Sequence, residues 1–177
     1  GEFTVNIALI ENGTPTLGVV HAPALSTLYL GGAGKAEKLV IDDLDRVTAR
    51  YPIAVRQKHA SPSALVSRSH NCDATDAYIK KAEILERKAV GSSLKFCLVA
   101  EGVADIYPRF SPTMEWDTAA GDAVLRAAGG MVATEDGAPL TYGKRLMGLR
   151  PFENPAFIAT GRPQERPFLH QACFRNG

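Results

Sequence analysis

Phe3, Val5, Ile7 and Leu9 alternate with Thr4, Asn6 and Ala8 at the start of the chain, the two-residue period of a strand with one buried face. The pattern predicts a strand over 3–10 with its large apolar residues turned into the core. Asn12-Gly13 is a tight-turn signal, and Thr16 to His21 reads as the returning strand of a hairpin that Pro23 ends. Thr27 to Leu30 is a third strand, Gly31-Gly32-Ala33-Gly34-Lys35 a turn, and Lys38–Ile41 and Val47–Arg50 are weaker strands. Residues 1–60 are thus expected to form an antiparallel meander, part of a first sheet.

From about Pro52 to Ser63 the chain is a connection, and beyond it short apolar runs alternate with helical ones. Ala64–Ser67 is a buried strand, and Asn71 or Asp73 is expected to cap a helix from Ala74 to Lys81. Arg87–Val90 is a strand, and Gly91-Ser92-Ser93 opens an apolar helix from Leu94 to Glu101 that Gly102 stops. Val103–Tyr107 is a strand and Trp116–Ala128 a long helix of small and apolar residues; Met131–Thr134 and Phe157–Thr160 complete a β/α unit over 61–161 with its own sheet. The stretch 162–177, which begins Arg162-Pro163-Gln164-Glu165, is expected to be a loosely ordered polar tail.

Composition narrows the class. Of 177 residues, 45% are apolar and 22% charged with a net charge of +1, which describes a globular protein with no electrostatic pull toward nucleic acid or membrane. No apolar run reaches the roughly 18 residues of a membrane span. Cys72, Cys97 and Cys173 are sparse and form no CxxC pair, so a reducing, cytoplasmic compartment is expected, peripheral association with an inner membrane remaining open. The chain begins inside a strand, as a fragment of a longer protein would.

The chemistry gathers where strands end and helices begin, which is where β/α units place binding groups. Ser67-Arg68-Ser69-His70, Gly91-Ser92-Ser93 with Lys95 one turn on, and Tyr107-Pro108-Arg109 each follow a strand; Asp117 heads the long helix. Hydroxyls, helix-start amides, cations and one carboxylate suit a phosphate ester with a bridging divalent cation. Each also has a plain structural reading: Ser92 or Ser93 as a helix cap, His70 as a loop residue, Arg109 as a surface cation, Asp117 as a cap. His70 with Cys72 has no second ligand pair nearby for zinc, and Gly31–Lys35 lacks the spacing of a phosphate-binding loop.

Glu115-Trp116-Asp117-Thr118-Ala119-Ala120-Gly121, ending at Ala128-Gly129-Gly130, resembles the second signature of the inositol monophosphatase superfamily. Residues 1–10, Ser67–His70, Gly91–Gly102 and Ile106–Arg109 resemble its bacterial 3'(2'),5'-bisphosphate nucleotidase branch. The resemblance implies a layered α/β (α+β) sugar-phosphatase fold and a Mg2+-dependent phosphatase that removes the 3'-phosphate of adenosine 3',5'-bisphosphate, with inositol or sugar phosphates as alternative substrates. It implies Asp117 as metal ligand and catalytic residue in contact with substrate, and Ser67, His70, Gly91, Ser92, Ser93, Lys95 and Arg109 on the substrate side. Arg109 stands near where inositol phosphatases place a glutamate for a sugar hydroxyl, and a cation there suits a second phosphate. The family's first signature, DPxDGT, occurs nowhere in the sequence; it supplies most of the metal ligands. The chain is therefore expected to be an inactive C-terminal part, which either self-associates or pairs with that N-terminal segment.

Overall fold

The structure, a computed structural model, describes residues 3–57, 61–145 and 150–161; the expected tail over 162–177 lies outside them. The first third is a five-stranded antiparallel meander in sequence order: β1 (Val5–Glu11), β2 (Thr14–Ala22), β3 (Thr27–Gly32), β4 (Lys35–Ile41) and β5 (Val47–Pro52). Both strands that looked weak in the sequence are full members of this sheet. The remainder runs β6 (Ser63–Ser67), α1 (Asp73–Lys81), β7 (Glu86–Val90), α2 (Leu94–Ala100), β8 (Ile106–Arg109), β9 (Thr113–Met114), α3 (Glu115–Ala127), β10 (Met131–Thr134), β11 (Glu153–Asn154) and β12 (Phe157–Thr160). These build a second sheet in the order β10-β12-β8-β6-β7, parallel between β6 and its two neighbours and antiparallel elsewhere.

The layers follow from which faces are apolar. Helices α2 and α3 lie between the two sheets, and one core joins Val20 and Tyr29 of the first sheet, Phe96, Val99 and Val124 of the helices, and Tyr107 and Phe157 of the second. Phe96, Tyr107 and Phe157 form an aromatic trio with centroids 5.2 to 5.7 Å apart, each pair adding about 1 kcal/mol beyond its burial. Helix α1 covers the other face of the second sheet through Ile79, packed with Ala64, Val66 and Ile158.

The structure reverses the expected orientation of β1. Val5, Ile7 and Leu9 are 51%, 62% and 52% exposed, whereas Asn6 and Ala8 turn toward α3 and the second sheet. Close approach is the reason. A Cβ on Gly18 would lie 2.3 Å from Ala120 O, and one on Gly31 2.4 Å from Val124 Cα. Where α3 rests on the strand backbones only small residues fit, and Ala8 is paired with Gly18 at that crossing. Gly31, read as part of a turn, is thus a packing residue within β3, and the turn itself is Ala33-Gly34.

Other corrections are local. The expected strand over 103–107 lies three residues later at its start, which puts Arg109 inside β8. Cys72 is the N-cap of α1 and neither Asn71 nor Asp73 caps it; Asn71 Nδ2 instead donates to Asp76 Oδ1 at 3.0 Å. Cys72 and Cys97 are free thiols.

Candidate active site

A cavity of about 200 Å³ opens where the ends of β6, β7 and β8 meet the starts of α2 and α3 and the inner side of β1. Ser67, His70, Ser92, Ser93, Lys95, Arg109 and Asp117 all line it. Gly91 is not in the wall; it joins β7 to Ser92. The strand-end residues singled out in the sequence therefore converge on one space. Its wall also holds Tyr107, next to Arg109 at the end of β8, and Asn6, Thr113 and Thr118, the last three missed by sequence reasoning. Thr113 and Thr118 were within reach of a sequence argument, since they flank Asp117. Asn6 was not, because it comes from the other sheet.

The Gly91–Ser93 loop is held from below. Ser92 adopts a left-handed conformation with φ of 56°, costly for a residue with a Cβ. Lys95, only 3% exposed, fixes it by donating to Ser92 O at 2.6 Å and Val90 O at 3.1 Å, with Nζ 5.0 Å above the Tyr107 ring. The capping reading of the serines does not hold. Ser93 is the N-cap residue of α2 but makes no side-chain capping bond. Its hydroxyl donates to Asn6 Oδ1 at 2.7 Å and contacts Thr4 Oγ1 at 2.8 Å.

Arg109 is not a surface cation. It is 7% exposed, and donates through Nε to Ser111 O at 3.0 Å and through Nη2 to Pro112 O at 2.9 Å. That holds the loop leading to α3 against the end of β6, where Ser111 Oγ donates to His70 O at 2.7 Å. Burial pushes the Tyr107 hydroxyl up to about 12, a shift that the nearby Arg109 guanidinium partly offsets; the ring is neutral at ordinary pH.

Asp117 sits in the first turn of α3, where its Oδ2 accepts the Met114 N–H at 3.2 Å. Asp117 is exposed, while Glu115 and Thr118 beside it are buried. The cap reading is thus met by one oxygen, and the other has no described hydrogen bond. Behind it, Asn154 Nδ2 donates to Thr118 Oγ1 at 3.0 Å and Thr113 Oγ1 at 3.3 Å. Glu115 anchors the next loop, accepting from the backbone of Gly143 at 2.7 Å and Lys144 at 2.9 Å and pairing with Lys144 Nζ at 2.7 Å.

A metal would find one ligand here. Among the described residues no group of three or more His, Cys, Asp or Glu side chains is placed to hold a cation. One carboxylate oxygen does not make the oxygen cage that Mg2+ requires. What the cavity offers by itself is a set of polar groups around an anion-sized space: three serine hydroxyls, a lysine, an arginine and a histidine.

The chain resembles proteins whose function is known by name. It is 47% identical to the 3'(2'),5'-bisphosphate nucleotidase CysQ of Salmonella typhimurium over 160 residues, which cover 90% of this chain and 61% of that protein. Against the CysQ of Escherichia coli strain K12 the identity is 46%, over 89% of this chain and 59% of the other. The chain thus spans about three-fifths of the length of these relatives. Among solved structures, CysQ from Bacteroides thetaiotaomicron superposes with a TM-score of 0.75 at 38% identity, covering 93% of this chain and 64% of that one. The model of the inositol monophosphatase family matches residues 1–163, and the chain belongs to that family.

Proposed function

We propose that the chain forms the substrate side of a phosphatase that removes the 3'-phosphate of adenosine 3',5'-bisphosphate, and that Asp117 is its contribution to a Mg2+ site. The observation that carries this reading is the convergence of Ser92, Ser93, Lys95, Arg109 and His70 on one cavity beside Asp117. Two buried cations suit two phosphates better than a neutral polyol. Relatives that the chain matches over about nine-tenths of its length bear the name bisphosphate nucleotidase. In this reading the hydroxyls and cations bind and orient the ester, and Asp117 faces the phosphate from the opposite wall. Mg2+ would activate water there, but it needs carboxylates that the described residues do not gather around Asp117, so in this reading the chain by itself is inactive.

Phosphate release by the complete protein that carries this chain, with adenosine 3',5'-bisphosphate against inositol 1-phosphate, tests the reading. The bisphosphate should be preferred, and Arg109→Met should erode that preference. A preference for inositol 1-phosphate would make this an inositol phosphatase; no hydrolysis of either would leave a non-catalytic anion-binding module.

A second part of the proposal concerns association. The outward face of β1 and β2 presents Ile7 opposite Val19 and Leu9 opposite Leu17, and β1 is an edge strand. An apolar edge of this kind pairs with another chain segment. We infer that it is covered in the working protein, by an N-terminal segment or by a second copy. The sparse thiols favour a cytoplasmic location in this reading; separately, among the described residues no helix is long and apolar enough to cross a membrane.

A further inference from the structure

We propose that Asn6 is an additional ligand-binding residue of this cavity, its side-chain amide donating to a phosphate oxygen of the ligand; the inference rests on the phosphate-ester reading above. Asn6 stands on β1, in the sheet opposite the Gly91–Ser93 loop, yet it forms part of the same wall as Lys95, Arg109 and Asp117. Thr4, just before the strand, and Asn6, on its inner face, both reach the serine loop.

The two ends of the Asn6 amide have different duties. Oδ1 accepts the Ser93 hydroxyl at 2.7 Å. That bond turns Nδ2 away from Ser93, and Nδ2 has no acceptor among the described residues. A serine hydroxyl can donate or accept, but this nitrogen can only donate. A donor oriented by its own oxygen, in a wall where hydroxyls and cations outnumber the single Asp117 carboxylate, selects an oxygen that accepts, and a phosphoryl oxygen is the strongest such acceptor the cavity charge would attract. The alternation that made β1 legible as a strand therefore has a second use: its polar phase carries ligand contacts.

The test must separate donation to the ligand from support of Ser93. Isothermal titration of the 177-residue chain with inorganic phosphate and with adenosine 3',5'-bisphosphate does so, with thermal melting to show that each variant is folded. Asn6→Leu removes donor and acceptor without adding charge, and should weaken both probes about tenfold. In a Ser93→Ala background, where no hydroxyl remains to be positioned, Asn6→Leu should still weaken binding by a similar factor. Should the leucine disturb β1, the isosteric Asn6→Asp keeps the acceptor for Ser93 and exchanges the donor for a carboxylate, with a loss of at least that size expected. No added loss on the Ser93→Ala background would show that Asn6 acts only through Ser93 and would overturn the inference while leaving the phosphate reading intact. A wild-type chain that binds neither probe would overturn both.

Discussion

The Lys95 ammonium lies 2.6 Å from the carbonyl oxygen of Ser92 and holds that residue in a left-handed turn at the edge of the cavity. A lysine expected from the sequence to contact substrate is thus the brace of the loop that presents the serines. Lys95→Met should cost about 2 kcal/mol of stability, the scale for hydrogen bonds from a charged donor, and should weaken phosphate binding. Lys95→Arg should not restore binding, because a planar fork cannot replace a compact ammonium between two carbonyls. Urea unfolding and phosphate titration of the two variants check this.

Acid should loosen the start of α3. Burial pushes the Glu115 carboxyl up, but Lys144 and the two backbone N–H groups outweigh it, so the net shift is downward. A lowered folded value means that stability is fully present above the ordinary carboxylate range and is lost as pH falls through the folded value. Asp105, held down by Arg56 and the Ser63 backbone against its own burial, acts in the same sense. Stability measured from pH 7 down to about pH 3 should decline, and Glu115→Gln, already destabilised, should show a shallower decline.

Asp122 has the opposite sign. It is fully buried, and desolvation raises its value despite Arg126 at 2.7 Å and the Tyr142 hydroxyl at 3.0 Å. Its ionised form is therefore the disfavoured one, and its contribution weakens as pH rises through the window between the unfolded and folded values. Arg126→Met would leave that carboxylate buried without its cation and should cost about 3–5 kcal/mol, read by denaturant unfolding at pH 7.

Gly31→Ala should be among the most damaging small substitutions in the chain. Its Cβ would sit 2.4 Å from the backbone of α3, and overpacking of this kind costs about 1–3 kcal/mol or more. Gly34→Ala in the neighbouring turn meets no atom within 4 Å, although its φ of 70° still carries strain. It should be the milder of the two in a melting experiment.

Association should depend on the outward face of β1. Ile7→Lys places a charge at the centre of that apolar strip without touching the cavity side. Sedimentation or light scattering of the 177-residue chain should show less self-association in the variant; unchanged assembly would place the contact elsewhere.

Much of this arrangement was legible in the sequence, for reasons that also mark where legibility stopped. Period-two alternation located β1, and apolar runs between turn signals located α2 and α3, because those patterns reflect local geometry. Which face of β1 is inside is not local: it depends on α3, more than a hundred positions later in sequence, lying against Gly18 and Gly31. The same holds for the site. Ser67, Ser92 and Arg109 stand at strand ends in any β/α unit, so their convergence was foreseeable. Asn6 touches Ser93 across 87 residues, a contact that only the stacking of the two sheets creates. Arg109 is buried and not the surface cation its position allowed, because the loop after it folds back to lend the Ser111 and Pro112 carbonyls to the guanidinium.

The central claim is that Asp117 and the serine loop form the two walls of a phosphate-ester site. The most direct measurement is Mg2+-dependent phosphate release from adenosine 3',5'-bisphosphate by the complete protein and its Asp117→Asn variant, with melting curves for both. The variant should keep its fold and the Met114 N–H contact, yet lose at least a hundredfold in rate, about 2.7 kcal/mol of transition-state stabilisation. Full activity in a folded Asp117→Asn protein would contradict the claim and leave Asp117 as no more than a cap on α3.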